Sequence, residues 1–258
     1  MPRILAHLGG VAALSVAVVA SAGGVAVAAD PIKNVVLVHG AWADGTGWKP
    51  VYDILVKDGF NVTIVQNPLT SLADDVAAVD RVLARQDGPV ILVGHSYGGT
   101  VITEAGDDAK VAGLVYVEAF APDAGESTFG LLPKDAPPPP IEPSADGFAF
   151  FNKDAYVVAF ADSVDPELAK FMADSQVPIA IVEAGSAPLT VAAWKTKPSW
   201  YQVGAADHII PPDAQRLMAG RAGSTVVEVP GGHLAFIANA QATADLIRQA
   251  AEGAAASN

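Results

Sequence analysis

The stretch PVILVGHSYGGTVITEAG, residues 89–106, joins a short apolar run, a glycine-bounded turn and a helix-compatible segment. At its centre, Gly94-His95-Ser96-Tyr97-Gly98 matches the pattern G-x-S-x-G, in which a sharp strand-to-helix turn holds a serine in strained backbone geometry. Such a turn projects the hydroxyl above a sheet, at the N-terminus of the next helix, where negative charge is favoured. The stretch therefore predicts that Ser96 is a nucleophile. The alternative is a glycine-rich structural turn.

On both sides of this stretch, short β-rich runs alternate with helical patterns. Residues 71–86 carry apolar residues at helical spacing, and Ser71 with Asp74 forms an N-terminal capping pattern. Two further helices are expected, one opening at Pro211-Pro212 and one over residues 241–251. The alternation predicts an α/β fold with a mostly parallel sheet of about six strands and helices on both faces. The expected strands are nearly continuous apolar runs, at residues 35–38, 62–65, 90–93, 114–117, 200–203 and 225–229.

Residues 121–197 interrupt this alternation. The segment contains four consecutive prolines, Pro137–Pro140, several aromatic residues and a helical pattern around residues 166–174. No strand rhythm is visible in it, so we expect an insertion between two strands rather than a second domain. The proline run is expected to be a stiff surface linker.

A nucleophilic serine needs a base, and the chain has five histidines. Only His208 and His233 follow Ser96 in the chain. If the chain order is nucleophile, acid, base, His233 leaves room for an acid between Ser96 and itself. His233 also follows the last predicted strand through a Gly-Gly turn. It is therefore the predicted base. The remaining histidines receive other roles: His7 lies in the N-terminal segment, His39 is expected to order a loop, and His95 to pack away from the hydroxyl.

The acid should accept a hydrogen bond from the imidazole and stabilise the imidazolium that forms. Asp207 lies four residues after the end of the strand SWYQV, at the carboxyl end where parallel sheets place their sites. Glu118 is the serious rival because it also ends a predicted strand. Asp213 is expected in the first turn of a helix, where a carboxylate favours the dipole. Asp207 is the predicted acid.

A loop with Gly40 follows the first predicted strand, in the sequence HGAWADGTGW. Such a loop can turn a backbone N–H towards a reacting carbonyl and stabilise the oxyanion that forms. The predicted donors are the N–H of Ala41 and the N–H of Tyr97, the residue after the nucleophile.

The N-terminal segment has a basic residue, Arg3, an uncharged run over residues 8–29 and small residues before its end. This pattern indicates a secretory signal peptide, cut after Ala28 or, as a close second, after Ala29. The alternative is a retained membrane anchor. We expect a secreted protein, extracellular or periplasmic, with residues 1–28 removed, one domain over residues 29–258 and no stable membrane span after cleavage.

Composition excludes several classes of function. The formal net charge is −13, which argues against binding to a nucleic-acid backbone. The chain has no cysteine, so disulfides, thiolate zinc sites and cysteine nucleophiles are excluded. The acidic residues are scattered and no histidine pair has ligand spacing, so we expect neither a metal ion nor another cofactor.

The motifs VVLVHGAW, GHSYGG, GAADHIIPP and PGGH resemble the α/β-hydrolase superfamily, in its compact branch of plant-type methyl esterases, hydroxynitrile lyases and their bacterial relatives. The resemblance covers nearly the whole chain after the signal peptide. It implies catalytic roles for Ser96, Asp207 and His233, oxyanion donors at Ala41 and Tyr97, and a cap over the pocket at residues 121–197.

Two positions separate the chemistries of that branch. The lyases typically carry Thr where this chain has Gly40, and Lys after the catalytic histidine, where this chain has Leu234. Both departures favour an esterase acting on small carboxylic esters. A lyase on the same scaffold and a catalytically silent ligand-binding protein remain the alternatives.

Overall fold

A computed structural model describes residues 31–132 and 139–257, together with Pro2. Apart from Pro2, the predicted signal peptide lies outside the described part of the chain, and so do Pro137 and Pro138 of the proline run. None of the helices in the described part combines the length and the hydrophobicity of a membrane span.

The strands of the described chain belong to two sheets. They are β1 (Asn34–Val38), β2 (Asn61–Val65), β3 (Val90–His95), β4 (Val111–Val117), β5 (Ile141–Pro143), β6 (Phe148–Phe151), β7 (Ile179–Ala180), β8 (Ser199–Gly204) and β9 (Thr225–Val229). The central sheet has six parallel strands in the order β2-β1-β3-β4-β8-β9. All six strands predicted from the sequence are confirmed. Every residue of β1 and β3 is buried, as apolar runs covered on both faces require.

The helices of the described chain lie on the two faces of the central sheet and in the segment between β4 and β8. They are α1 (Lys49–Lys57), α2 (Leu72–Leu83), α3 (Tyr97–Ala105), α4 (Lys153–Ala155), α5 (Pro166–Ser175), α6 (Pro212–Arg221), α7 (Ala235–Ala238) and α8 (Ala240–Ser257). Helix α1 packs on α8, and α2 packs on α3, one pair for each face. The predicted cap of α2 is confirmed, because the Ser71 hydroxyl accepts from the Asp74 N–H at 3.0 Å. Helix α1 was missed in the sequence.

The segment between β4 and β8 contains strands that the sequence pattern did not predict. Strands β5, β6 and β7 form a small antiparallel sheet, although no strand rhythm is visible in the sequence of this segment. The reason is their length: β5 has three residues and β7 has two, which is too short for a visible alternation. The predicted helix at residues 166–174 is confirmed as α5, whose first N–H groups bond to the Asp165 carboxylate.

The carboxyl ends of the parallel strands meet at one edge of the central sheet. The candidate residues follow these ends: His39 and Gly40 after β1, Ser96 after β3, Glu118 after β4, Asp207 after β8 and His233 after β9. We refer below to residues 121–197 as the cap.

Candidate active site

Ser96 occupies the sharp turn between β3 and α3, with φ +53° and ψ −125°. A positive φ is strained for a serine and persists only where the surrounding structure holds it. A Cβ at Gly94 would lie 2.5 Å from the Gly98 carbonyl oxygen, and one at Gly98 would lie 2.6 Å from the oxygen of Val38. Both positions must therefore be glycine for the turn to form, as the sequence pattern predicts.

Three predicted residues form a continuous chain of hydrogen bonds. The Ser96 Oγ lies 2.8 Å from His233 Nε2, and His233 Nδ1 lies 2.9 Å from Asp207 Oδ2. The His233 and Asp207 side chains are fully buried. Since a carboxylate only accepts, Nδ1 carries the proton and Nε2 is free to accept from the serine hydroxyl. This tautomer can take up the proton of Ser96.

The Asp207 carboxylate is held by donors on both oxygens. Oδ1 accepts from the N–H groups of Ile209 and Ile210 at 2.7 and 2.9 Å. Oδ2 accepts from Gln215 Nε2 at 2.8 Å, in addition to His233. Hydrogen bonds from four donors stabilise the charged form of a buried carboxylate. The arrangement holds Oδ2 in place to accept from His233 Nδ1.

Glu118, the rival acid, has a different environment. It is fully buried, and its Oε1 accepts from Gln202 Nε2 at 2.9 Å. Its Oε2 has no hydrogen-bond partner within the described residues. Burial raises the pKa of Glu118 well above its ordinary value, and the nearby Asp207 charge acts in the same direction. The two carboxyls at neighbouring strand ends therefore differ in their hydrogen bonds, and His233 Nδ1 donates to Asp207 and not to Glu118.

The N–H groups of Ala41 and Tyr97 are the candidate oxyanion donors. Both residues line the same cavity as Ser96. Tyr97 is the first residue of α3, so its N–H has no acceptor within the helix. Neither N–H donates to another group in the described part of the chain. Both are therefore available to a ligand oxygen.

His39 orients the peptide unit that carries the Ala41 N–H. The Asn67 N–H donates to His39 Nε2 at 2.9 Å, so the ring proton is on Nδ1, and Nδ1 donates to the Gly40 carbonyl oxygen at 2.9 Å. Because a trans peptide points its C=O and N–H in opposite directions, fixing the Gly40 carbonyl also fixes the Ala41 N–H. Burial lowers the pKa of His39, so the ring stays neutral. The predicted loop-ordering role agrees with these contacts.

His95 packs beside the hydrogen-bonded chain of Ser96, His233 and Asp207 rather than joining it. Its Nε2 lies 2.9 Å from the backbone carbonyl oxygen of His233, to which it donates, and its ring lies 4.7 Å from the ring of Phe236. Burial lowers the pKa of His95 well below its ordinary value, which keeps the ring neutral. The sequence indicated packing but gave no sign of the bond to the His233 backbone.

Asp75 is a buried residue that the sequence reading missed. Its carboxylate accepts from the Tyr97 hydroxyl at 2.7 Å and from the Leu69 N–H at 2.8 Å. Burial raises the pKa of Asp75 to about 6. The available signal was its place in α2, three residues after Leu72, on the buried side of an amphipathic helix. Asp75 thus links Tyr97, the residue after Ser96, to helix α2 through a hydrogen bond.

An apolar cavity of about 400 Å³ opens above Ser96. Among the described residues that line it, His208 is the one histidine; it is exposed, and its Nε2 lies 3.9 Å from Asp162 Oδ2. No group of three or more potential metal ligands occurs among the described residues. Cap and core residues line the cavity together: Ala41, Trp42, Ser96, Tyr97, Phe120, Thr128, Phe129, Leu132, Pro139, Pro140, His208, Ile209 and Pro211.

A parallel sheet with a serine on a sharp turn after β3, and an aspartate and a histidine after later strands, defines the class of α/β-hydrolase folds. The chain belongs to the alpha/beta hydrolase family, whose family model matches residues 35–246.

Similar proteins include a carbendazim hydrolyzing esterase of Nocardioides sp. (strain SG-4G), 37% identical over 128 residues, which are 42% of this chain and 50% of that protein. Methylesterase 7 of Arabidopsis thaliana is 30% identical over 171 residues, 54% of this chain and 64% of that protein. The chain thus matches between half and two thirds of the length of these two relatives. A solved pyrethroid hydrolase, PytH, has a similar fold, with a TM-score of 0.74 at 20% identity over 84% of this chain and 96% of that one.

Proposed function

We propose that the protein is a secreted serine hydrolase that cleaves small carboxylic esters through an acyl-enzyme on Ser96. The observation that carries the proposal is the hydrogen-bonded chain from Ser96 through His233 to Asp207, at the base of an apolar cavity. The two free N–H groups of Ala41 and Tyr97 border the same cavity.

In the first half of the reaction, Ser96 Oγ attacks the acyl carbon of the ester, and its proton passes to His233 Nε2. The electron pair of the carbonyl bond moves to the oxygen, which the N–H groups of Ala41 and Tyr97 stabilise. When the tetrahedral intermediate collapses, the bond to the alkoxy oxygen breaks, and that oxygen takes the proton from His233. The alcohol leaves, and the acyl group stays on Ser96.

In the second half, water attacks the acyl carbon and gives a proton to His233 Nε2. The intermediate collapses with cleavage of the bond to Ser96 Oγ, which takes the proton back. The carboxylic acid leaves and the free serine is restored. Asp207 stays ionised throughout and stabilises the imidazolium that each half-reaction forms on His233.

The chemistry of the cavity lining favours a small, uncharged ester as the substrate. Within the described residues the lining is largely aromatic, aliphatic and proline side chains, with no lysine, arginine, aspartate or glutamate. A charged substrate would lose its hydration there without a partner, at a cost of several kcal/mol. The names of the carbendazim hydrolyzing esterase and of methylesterase 7 also support ester hydrolysis.

A lyase on the same scaffold is the second candidate, and two positions oppose it. Leu234, the residue after His233, is apolar and buried, so it supplies no positive charge to a leaving cyanide. At Gly40, a Cβ would lie 2.6 Å from Ser96 Cβ, so the loop has no space for a side chain. A silent ligand-binding protein is the third candidate, and the intact hydrogen-bonded chain opposes it.

The decisive experiment uses the purified protein after removal of the signal peptide. It should hydrolyse a short-chain aryl ester, react with a fluorophosphonate probe, and leave an aromatic cyanohydrin uncleaved. Cyanohydrin cleavage without ester hydrolysis would favour the lyase. Binding of apolar ligands with neither activity would favour the silent protein.

Secretion belongs to the same proposal and rests on the N-terminal sequence. If the chain is expressed with its own N-terminus, we expect the exported protein to begin at Ala29, which intact mass spectrometry would show. A protein that keeps residues 1–28 in the membrane fraction would support the anchor instead.

Gly40→Ala should lower kcat/KM by about 100-fold or more, because a displacement of the reacting groups by about 1 Å has an effect of that order. The added Cβ would also lie 3.0 Å from the His95 carbonyl oxygen, so the loop and the serine must move apart. The kcat/KM for hydrolysis of an aryl ester measures the loss of activity. Gly220→Ala is the matched control, since a Cβ there meets no atom within 4 Å. Wild-type activity of Gly40→Ala would contradict the tight fit of loop and serine.

A further inference from the structure

Trp42 has a strained backbone. Its φ is +56°, a left-handed conformation that is a genuine outlier for a bulky residue. Trp42 directly follows Ala41, the proposed oxyanion donor. Strain of this kind costs of order 1–3 kcal/mol and persists only where neighbouring contacts hold the residue in place. The contacts that hold Trp42 therefore also set the position of Ala41.

Two buried hydrogen bonds hold Trp42, and both come from the cap. The indole Nε1–H donates to the carbonyl oxygen of Ala149, in β6, at 2.9 Å. The hydroxyl of Tyr156 donates to the carbonyl oxygen of Trp42 itself at 3.0 Å. The first bond fixes the side chain and the second fixes the backbone. Burial raises the pKa of Tyr156, so the phenol remains a donor.

The residues Tyr156–Phe160 form a π-helical turn, closed by a bond from the Ala161 N–H to the Tyr156 oxygen at 2.8 Å. Such turns are rare and frequently occur at functional sites. The rings of Tyr156 and Phe160 stack with centroids 4.5 Å apart, and Phe160 meets the ring of His233 edge-on at 4.7 Å. One turn of the cap thus contacts both the loop of Ala41 and the catalytic base.

We propose that the Tyr156–Phe160 turn positions the oxyanion donor Ala41 through Trp42. The inference rests on the proposed function. On the core side, His39 fixes the Gly40 carbonyl; on the cap side, Tyr156 fixes the Trp42 carbonyl. Ala41 lies between these two fixed carbonyls. The cap is then a part of the catalytic apparatus as well as a cover for the substrate.

Tyr156 is a positioning residue and not a catalytic one. It is fully buried and does not line the cavity, so it cannot act on the substrate directly. Removing one oxyanion donor altogether costs about 10²- to 10³-fold in kcat, and a misplaced donor costs less. We therefore expect Tyr156→Phe to lower kcat about 10- to 100-fold with little change in KM.

The test compares Tyr156→Phe with Tyr116→Phe. Tyr116 is also fully buried, and its hydroxyl bonds to Thr103 at 2.9 Å, away from the cavity lining. Both variants lose one buried phenol hydrogen bond, so their melting temperatures should fall by similar amounts. Only Tyr156→Phe should lose turnover.

The specific readout is the binding of two matched ketones, an aryl trifluoromethyl ketone and the corresponding methyl ketone. With the first, Ser96 Oγ bonds to the carbonyl carbon, the serine proton passes to His233, and the carbonyl electron pair forms an oxyanion. The second ketone stays largely unreacted and serves as a ground-state analogue. Tyr156→Phe should weaken binding of the trifluoromethyl ketone by the same factor as kcat/KM, and leave methyl ketone binding unchanged.

Three results would overturn the inference: wild-type kcat and trifluoromethyl ketone binding in Tyr156→Phe, an equal loss for both ketones, or the same loss in Tyr116→Phe. If Tyr156→Phe does not fold, Trp42→Phe replaces it, because this change removes the bond to Ala149 and keeps an aromatic ring. If Trp42→Phe lowers the affinity for the trifluoromethyl ketone more than the affinity for the methyl ketone, the inference is supported. If the ratio of the two affinities is the same as in the wild type, the inference is overturned. Failure of the proposed function is distinguishable, since wild-type protein would then neither hydrolyse esters nor react with the fluorophosphonate.

Discussion

Ser96→Ala should abolish fluorophosphonate labelling and lower kcat for an aryl ester by about 10⁶-fold, the scale seen when a triad serine is removed elsewhere. The physical reason is that the proposed acyl-enzyme forms on Ser96 Oγ, which alanine lacks. Cysteine is absent from the sequence. Within the described residues, Ser96 is the serine whose Oγ is hydrogen-bonded to an imidazole, His233 Nε2.

The change should leave the fold intact. Ser96 is buried and its Oγ bonds to His233 alone among the described residues, so the alanine loses one hydrogen bond and creates little space. Circular dichroism and the melting temperature check this point. Ser186→Ala, at an exposed serine, is the matched control and should keep full labelling. Labelling that survives Ser96→Ala would remove Ser96 from the mechanism.

Asp207→Asn should lower kcat by about 10⁴-fold, the size of the effect of this change in other triads. The Ile209 and Ile210 N–H groups hold Oδ1 as an acceptor, so the new amide nitrogen must take the place of Oδ2. There it would point N–H donors at His233 Nδ1 and Gln215 Nε2. His233 must then accept at Nδ1 and carry its proton on Nε2, and in that tautomer it cannot take the proton of Ser96.

Glu118→Gln is the matched control for this prediction. It also replaces a buried carboxyl at a strand end by an amide, but Glu118 bonds to Gln202 and not to His233. Burial raises the pKa of Glu118 well above its ordinary value, so replacing this carboxyl by an amide changes the charge less than the same replacement at an exposed glutamate would. We expect a loss of less than about tenfold in kcat, within the range of a positional disturbance. The reverse ranking of the two variants would assign the role of the acid to Glu118.

The assignment of the acid shows where sequence reasoning stops. Asp207 and Glu118 both follow strands, β8 and β4, which are neighbours in the sheet. Their chemical difference comes from the donors around each carboxyl. Three of the four donors on Asp207 come from the loop and helix that follow it, whereas Glu118 lies among buried groups with a single side-chain donor. No short sequence motif predicts this difference in hydrogen-bond donors between Asp207 and Glu118.

The sequence by itself determined the six central strands and the turn at Ser96, and it singled out Asp207 and His233, the two residues that the structure joins to Ser96 by hydrogen bonds. These features depend on short-range rules: apolar runs for buried parallel strands, and glycines two residues before and after Ser96, where any Cβ would collide with backbone. Each rule acts over a few residues, so each can be read from the chain.

Only the tertiary structure decided which groups surround these residues. The cap sheet, the bond from His95 to the His233 backbone and the contacts of Trp42 join residues that are far apart in the chain. Tyr156 meets the Trp42 carbonyl across 114 positions, and the Trp42 indole meets Ala149 across 107. Such pairs depend on how the cap packs on the sheet, and packing is the sum of many weak contacts that no single motif records.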